Sequence, residues 1–124
     1  MEYARMQSVA EQVVRSAQAR LPAEVRAAAT SLPVCCEPVP NDDILAEGWE
    51  PDILGLFVGH EHGGDLLDSV QPLPSQILLF LDNIWDLAEG DEGVFRDEVR
   101  LTYLHELGHY LGWDEDEVAR RGLE

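Results

Sequence analysis

The chain carries little positive charge. Lys and Arg together number 8 against 25 Asp and Glu, a formal net charge of −17 over 124 residues. Such a surface repels phosphate backbones and anionic bilayers, so the expectation is no nucleic-acid and no membrane partner. It mildly favours cationic substrates or partners, although keeping the protein soluble is the simpler use of the charge. Long apolar runs are missing too: no segment approaches the roughly 20 residues of a membrane span. The opening Met1-Glu2-Tyr3-Ala4-Arg5-Met6 lacks the uninterrupted apolar stretch of a secretory signal. The expected location is therefore the cytoplasm, where thiols stay reduced. Cysteine is scarce, with only Cys35 and Cys36. Adjacent in a short strand, they point to opposite faces and read as buried or half-buried free thiols rather than metal thiolates. Repeats, low-complexity tracts and linkers are absent, so residues 1–124 read as one domain.

What is present argues for a folded globule. Hydrophobic residues make up 45% of the chain and there are three Trp, too much apolar content for a disordered acidic protein. Glu2 to Arg20 has the helical period, with Val9, Val13, Val14 and Ala17 along one side. Pro22 opens a second helix to about Ser31. Val34 to Val39, Leu54 to Val58 and Ile77 to Leu81 read as strands. Asn41 to Pro51 reads as an acidic loop, with Trp49 as a local hydrophobic anchor. Asn83 to Glu89 reads as a short helical turn, Glu92 to Leu111 as a long helix ended by Gly112, and Asp114 as the N-cap of a last helix to Arg121. The expected order is two helices, three strands, a turn and two helices: an α+β (mixed α/β) domain with a short three-stranded sheet packed on helices.

Of only four histidines, two stand in His105-Glu106-Leu107-Gly108-His109. Side chains four residues apart share a helix face, so both imidazoles can reach one ion, with the glutamate at the flank of that face. This is the H-E-x-x-H arrangement of zinc peptidases. With 4 His and 14 Glu in the chain, a chance occurrence is roughly a one-in-a-hundred event, so context must carry weight. The host helix has neither Pro nor Gly between Val94 and Leu107. On it Glu98, Thr102, His105, Glu106 and His109 fall within about 100° of arc. Leu101, Leu104, Leu107, Gly108 and Leu111 fill an adjoining arc expected to pack on the core.

A catalytic zinc needs three protein ligands and an open position, and the motif supplies two. Gly112 lies three residues past His109, the spacing of H-E-x-x-H-x-x-G, where glycine lets the chain turn back beneath the metal. No histidine follows His109. The third ligand is then a carboxylate of Asp114-Glu115-Asp116, with Glu115 at the favoured spacing. These acids also suit a helix N-terminus on electrostatic grounds alone.

From about Leu54 to Leu123, and above all in His105-Glu-Leu-Gly-His109-Tyr-Leu-Gly112-Trp-Asp-Glu115, the chain resembles the small bacterial "minimal zincin" metallopeptidase-like family. The resemblance implies a compact zincin fold with one Zn²⁺ held by His105, His109 and an acidic residue after the glycine. The family carries aspartate at that position more often than glutamate, so Glu115 departs from the pattern and the third ligand stays open among Asp114, Glu115 and Asp116.

The expected activity is hydrolysis of peptide bonds in peptides or unfolded protein by a metal-activated water, with Glu106 as general base. For the oxyanion, His60 and His62 are better placed than Tyr103 and Tyr110, which read as packing residues; a solvated loop or adventitious metal site is the plainer reading of the two loop histidines. Two other classes compete: a non-catalytic zinc-binding or interaction domain that keeps the fold, and an acidic interaction protein with an accidental motif.

Overall fold

A computed structural model describes residues 1–59, 75–113 and 120. Helices α1 (Tyr3–Ala19) and α2 (Ala23–Ser31) precede strand β1 (Val34–Glu37). A short helix α3 (Asp42–Ala46), strands β2 (Gly55–Val58) and β3 (Gln76–Phe80), and helices α4 (Leu81–Leu87) and α5 (Glu92–Tyr110) follow. This mixture of helices and a three-stranded sheet is the expected α+β class. Two details differ from the sequence reading. Asn41 to Pro51 holds α3, because the Asn41 side chain accepts the Ile44 N–H at 2.9 Å and caps a helical turn. Leu81 leaves the strand to begin α4, so the last apolar residue of Ile77–Leu81 is helical.

The sheet order is β1-β3-β2, with β1 parallel and β2 antiparallel to β3. Alternation sorts the faces. Ile77 and Leu79 of β3 are fully buried in the core with α1 and α5, while Leu78 is only half-buried. Their cross-strand partners Phe57 and Gly55 share that helix-facing side. On β1 the same alternation leaves Cys36 half-buried and Cys35 exposed. The expectation that both thiols are at least half-buried therefore fails for Cys35, whose side chain falls on the face that the helices do not cover.

Burial, reinforced by nearby Glu11 and Cys35, pushes the Cys36 thiol up to about 11 from its ordinary 9.0. The folded state thus holds this proton more tightly than the unfolded chain. Its contribution to stability is complete below pH 9 and is lost as pH rises through 11. Urea unfolding followed from pH 8 to 11 should show a steeper fall in stability for the wild type than for Cys36→Ala. Equal slopes would contradict this assignment.

Helix α5 is the spine of the fold. The Asp91 carboxylate accepts the Val94 N–H at 2.9 Å and starts it. The row Phe95, Val99, Tyr103, Leu107, spaced by four, is fully buried. The Tyr103 hydroxyl keeps a partner there by accepting from Gln18 Nε2 of α1 at 3.1 Å. Leu104 and Gly108 are buried as expected, but Leu101 is 37% exposed. Its wheel position lies on the row of His105 and His109, not on the core row. At the other end Gly112 N–H donates to His109 O and Trp113 N–H to Gly108 O, with Gly112 at φ +76°. This pair of bonds is a Schellman turn, which glycine makes without steric cost. Among the described residues no helix is long and apolar enough to cross a membrane.

Candidate metal centre

The site forms where α5 crosses the helix-facing side of β2. Gly55 permits the crossing. A Cβ there would come within 2.6 Å of Thr102 Cγ2 and 3.1 Å of the Leu78 carbonyl oxygen. Neither the short branched side chain nor the sheet backbone can yield readily. Gly55→Ala should therefore cost about 1–3 kcal/mol of stability through overpacking, read as a lower urea midpoint at unchanged slope. A midpoint equal to that of the wild type would show that the helix can retreat freely.

At this crossing His105 Nε2 and His109 Nε2 lie 3.1 Å apart, with their rings edge to face at 88°. Together with a Glu106 oxygen, these ligand atoms all fall within 4.8 Å of one another. Two nitrogens bound to one tetrahedral zinc at 2.0–2.1 Å would be separated by about 3.3–3.4 Å. The pair thus stands close to the edge of a zinc tetrahedron, and the donors fit that ion. His105 and Glu106 are half-buried and His109 is exposed.

Glu106 is held from the sheet. Its Oε1 accepts the Phe57 backbone N–H at 2.9 Å. The β2–β3 ladder includes Phe80 N–H to Leu54 O at 2.9 Å, so by alternation the backbone groups of Gly55 and Phe57 point away from β3. Phe57 also packs its ring on Tyr110, with centroids 5.6 Å apart. Tyr103 and Tyr110 are thus both in packing contacts. Asn83 of α4 steadies the approach to β2: its Nδ2 donates to Pro51 O at 2.8 Å and to Ile53 O at 2.9 Å.

Two cavities of about 550 and 660 Å³ adjoin at Gly55, His105 and Glu106. The first runs toward Ile53, Leu54, Leu101 and Thr102. The second runs toward Trp49, Phe57, Gly59, His109 and Trp113. The histidine–glutamate cluster therefore sits along the middle of a cleft bounded by β2 and α5. Trp49 is 46% exposed and lines this cleft, so it is a wall residue of the site rather than an anchor of its own loop.

Sequence reasoning named His105, Glu106 and His109, and the structure brings them together. His60, His62, Asp114, Glu115 and Asp116 lie outside the described residues. Gly55, Phe57, Asn83 and the cleft role of Leu101 were missed. Gly55 carried a usable signal, because an isolated glycine inside an apolar strand marks a close backbone approach. The Phe57 contribution is a main-chain amide, for which no side-chain pattern exists.

No curated protein matches the chain. The sequence profile described as "Zincin-like metallopeptidase" matches residues 29–123, a span that runs from the end of α2 through the sheet, the cleft and α5. With the metal-ligand cluster on one helix face and the match extending over most of its length, the chain belongs to the zincin-like metallopeptidase family.

Proposed function

We propose that the protein is a zinc-dependent peptidase acting on peptides or unfolded protein segments. The observation that carries this reading is the cleft itself: Glu106 and both histidines line a trough that continues on either side of them along β2. A purely structural zinc site has no need of such an approach and is ordinarily closed by a fourth protein ligand.

His105 and His109 would hold Zn²⁺ as neutral imidazoles, with a carboxylate beyond Gly112 as third ligand, Glu115 by spacing and Asp114 or Asp116 otherwise. An ion so held would supply Lewis acidity, acidifying a water and polarising a carbonyl. Glu106 performs the proton transfers. The Phe57 amide fixes Oε1, and Oε2 takes the proton of the attacking water and delivers it to the departing amine. The outward-facing backbone of Gly55 and the Phe57 carbonyl, beside the Phe57 N–H that Glu106 already holds, receive an extended substrate as an added strand. The acidic surface favours neutral or basic segments over acidic ones.

The test is to prepare metal-free protein, titrate zinc by calorimetry, and expose the loaded protein to a diverse peptide library. Binding at unit stoichiometry with cleavage is expected. Unit stoichiometry with no cleavage anywhere would convert the reading to a zinc-binding interaction domain.

A further inference from the structure

We infer that the cavity walled by Ile53, Leu54 and Leu101 is a side-chain pocket that selects peptides with a bulky apolar residue next to the cleaved bond. The inference rests on the peptidase reading for its consequence in catalysis, though not for the binding it predicts.

The position of the pocket follows from helix geometry. Leu101, His105 and His109 are spaced by four on α5, so they form one row along the helix. Four residues at 1.5 Å each place Leu101 about 6 Å along the axis from His105. Consecutive Cα atoms of a substrate are about 3.8 Å apart, and the side chain adds reach, so a residue beside a bond centred at His105 and Glu106 can fill this space. The cavity includes both of those residues in its lining, which makes it continuous with the site of chemistry.

The composition of the wall sets the preference. Ile53 and Leu54 come from the segment entering β2, and Leu101 from α5. The lining between them is Gly55, which presents no side chain, and Thr102, which is nearly buried. The 37% exposure of Leu101 is apolar surface that a bound side chain would cover. Among the described residues Glu106 is the one carboxylate that lines the space, and it is hydrogen-bonded to Phe57. An acidic substrate side chain would meet that carboxylate, and among the described residues no guanidinium or ammonium lines the wall to offset it. A small side chain would leave the apolar surface wet. A Leu or Phe side chain satisfies the wall on both counts. The opposite arm of the cleft, with Trp49, Trp113 and His109, has a different lining, so the cleft also distinguishes the two directions of a bound chain.

Two measurements test this together. In the first, acetyl amides of Leu, Phe, Ala and Asp are titrated into metal-free wild-type protein, and methyl resonances of Ile53, Leu54 and Leu101 are followed. Leu and Phe should shift these methyls at concentrations where Ala and Asp do not. In the second, zinc-loaded wild type cleaves a peptide series varied at the residues flanking one bond. kcat/KM for Leu over Ala at one flanking position should be roughly 10- to 100-fold, and Leu101→Trp, which fills the pocket, should bring that ratio toward one. Side-chain-selective methyl shifts without any cleavage would support the pocket and overturn the peptidase reading. Cleavage with a flat profile at both flanking positions, or a Leu101→Trp profile identical to wild type, would overturn the pocket and leave the peptidase reading standing. Equal methyl shifts with all four amides would also overturn it.

Discussion

Glu106→Gln is expected to lower the rate of peptide hydrolysis by roughly 10²- to 10⁴-fold, the range for loss of a positioned general base, while zinc affinity changes by no more than a factor of a few. The substitution separates the two uses of the side chain. Glutamine keeps a carbonyl oxygen in place of Oε1, so it can still accept the Phe57 N–H that the carboxylate accepts at 2.9 Å. The fold and the cleft wall are thereby retained. What disappears is the basic oxygen. Steady-state kinetics on a peptide cleaved by the wild type, paired with calorimetric zinc binding to both proteins, reads each use separately. Hydrolysis undiminished in Glu106→Gln would remove this residue from the proton path and require another base.

His105→Ala should abolish zinc binding in the range where the wild type saturates, and with it the stabilisation that zinc confers. A ligand that binds only the folded state at 100 times its Kd adds about 2.7 kcal/mol. Thermal unfolding of the wild type should therefore shift upward on adding zinc, and that of His105→Ala should not. The contrast is large because His105 and His109 supply the two imidazoles of the described cluster, and a single remaining imidazole is a weak site. Metal-free forms of the two proteins should unfold at similar temperatures, because His105 is only half-buried and lies off the core row of α5. A zinc-dependent shift of equal size in both would place the ion elsewhere.

Much of this arrangement was legible before any coordinates. The spacing of four in His105 to His109 is a property of one helix, and local periodicity survives in sequence; the buried row Phe95, Val99, Tyr103 and Leu107 shares only Leu107 with the arc expected to pack on the core. Gly112 announced the end of α5 for the same reason, since a left-handed turn residue acts within a few positions. The strands were found by composition, but their pairing was not. That β3 lies between β1 and β2 is a long-range fact, decided by which faces the helices cover. The fate of Leu101 shows the same limit: a wheel places it between the core arc and the polar arc, and only the crossing of β2 over α5 decides that it faces the cleft. Nothing local in the sequence indicates that β2 carries the Trp49 loop to the site. α3 is hard to read from sequence because its cap, Asn41, stands among acidic residues that equally suit a loop.

The hydrogen bond from Phe57 to Glu106 also bears on the open edge of the sheet. Among the described residues β2 is an outer strand of the sheet, and an outer strand with unsatisfied donors is a template for pairing with another molecule. Here one of those donors is already taken by a charged side chain from a neighbouring helix. A strand approaching edge-on finds the Phe57 N–H that its carbonyl would need already bonded to a carboxylate. Glu106 thus covers one donor of this edge as well as being a candidate for chemistry. An acid at this position therefore has a structural use that does not depend on turnover.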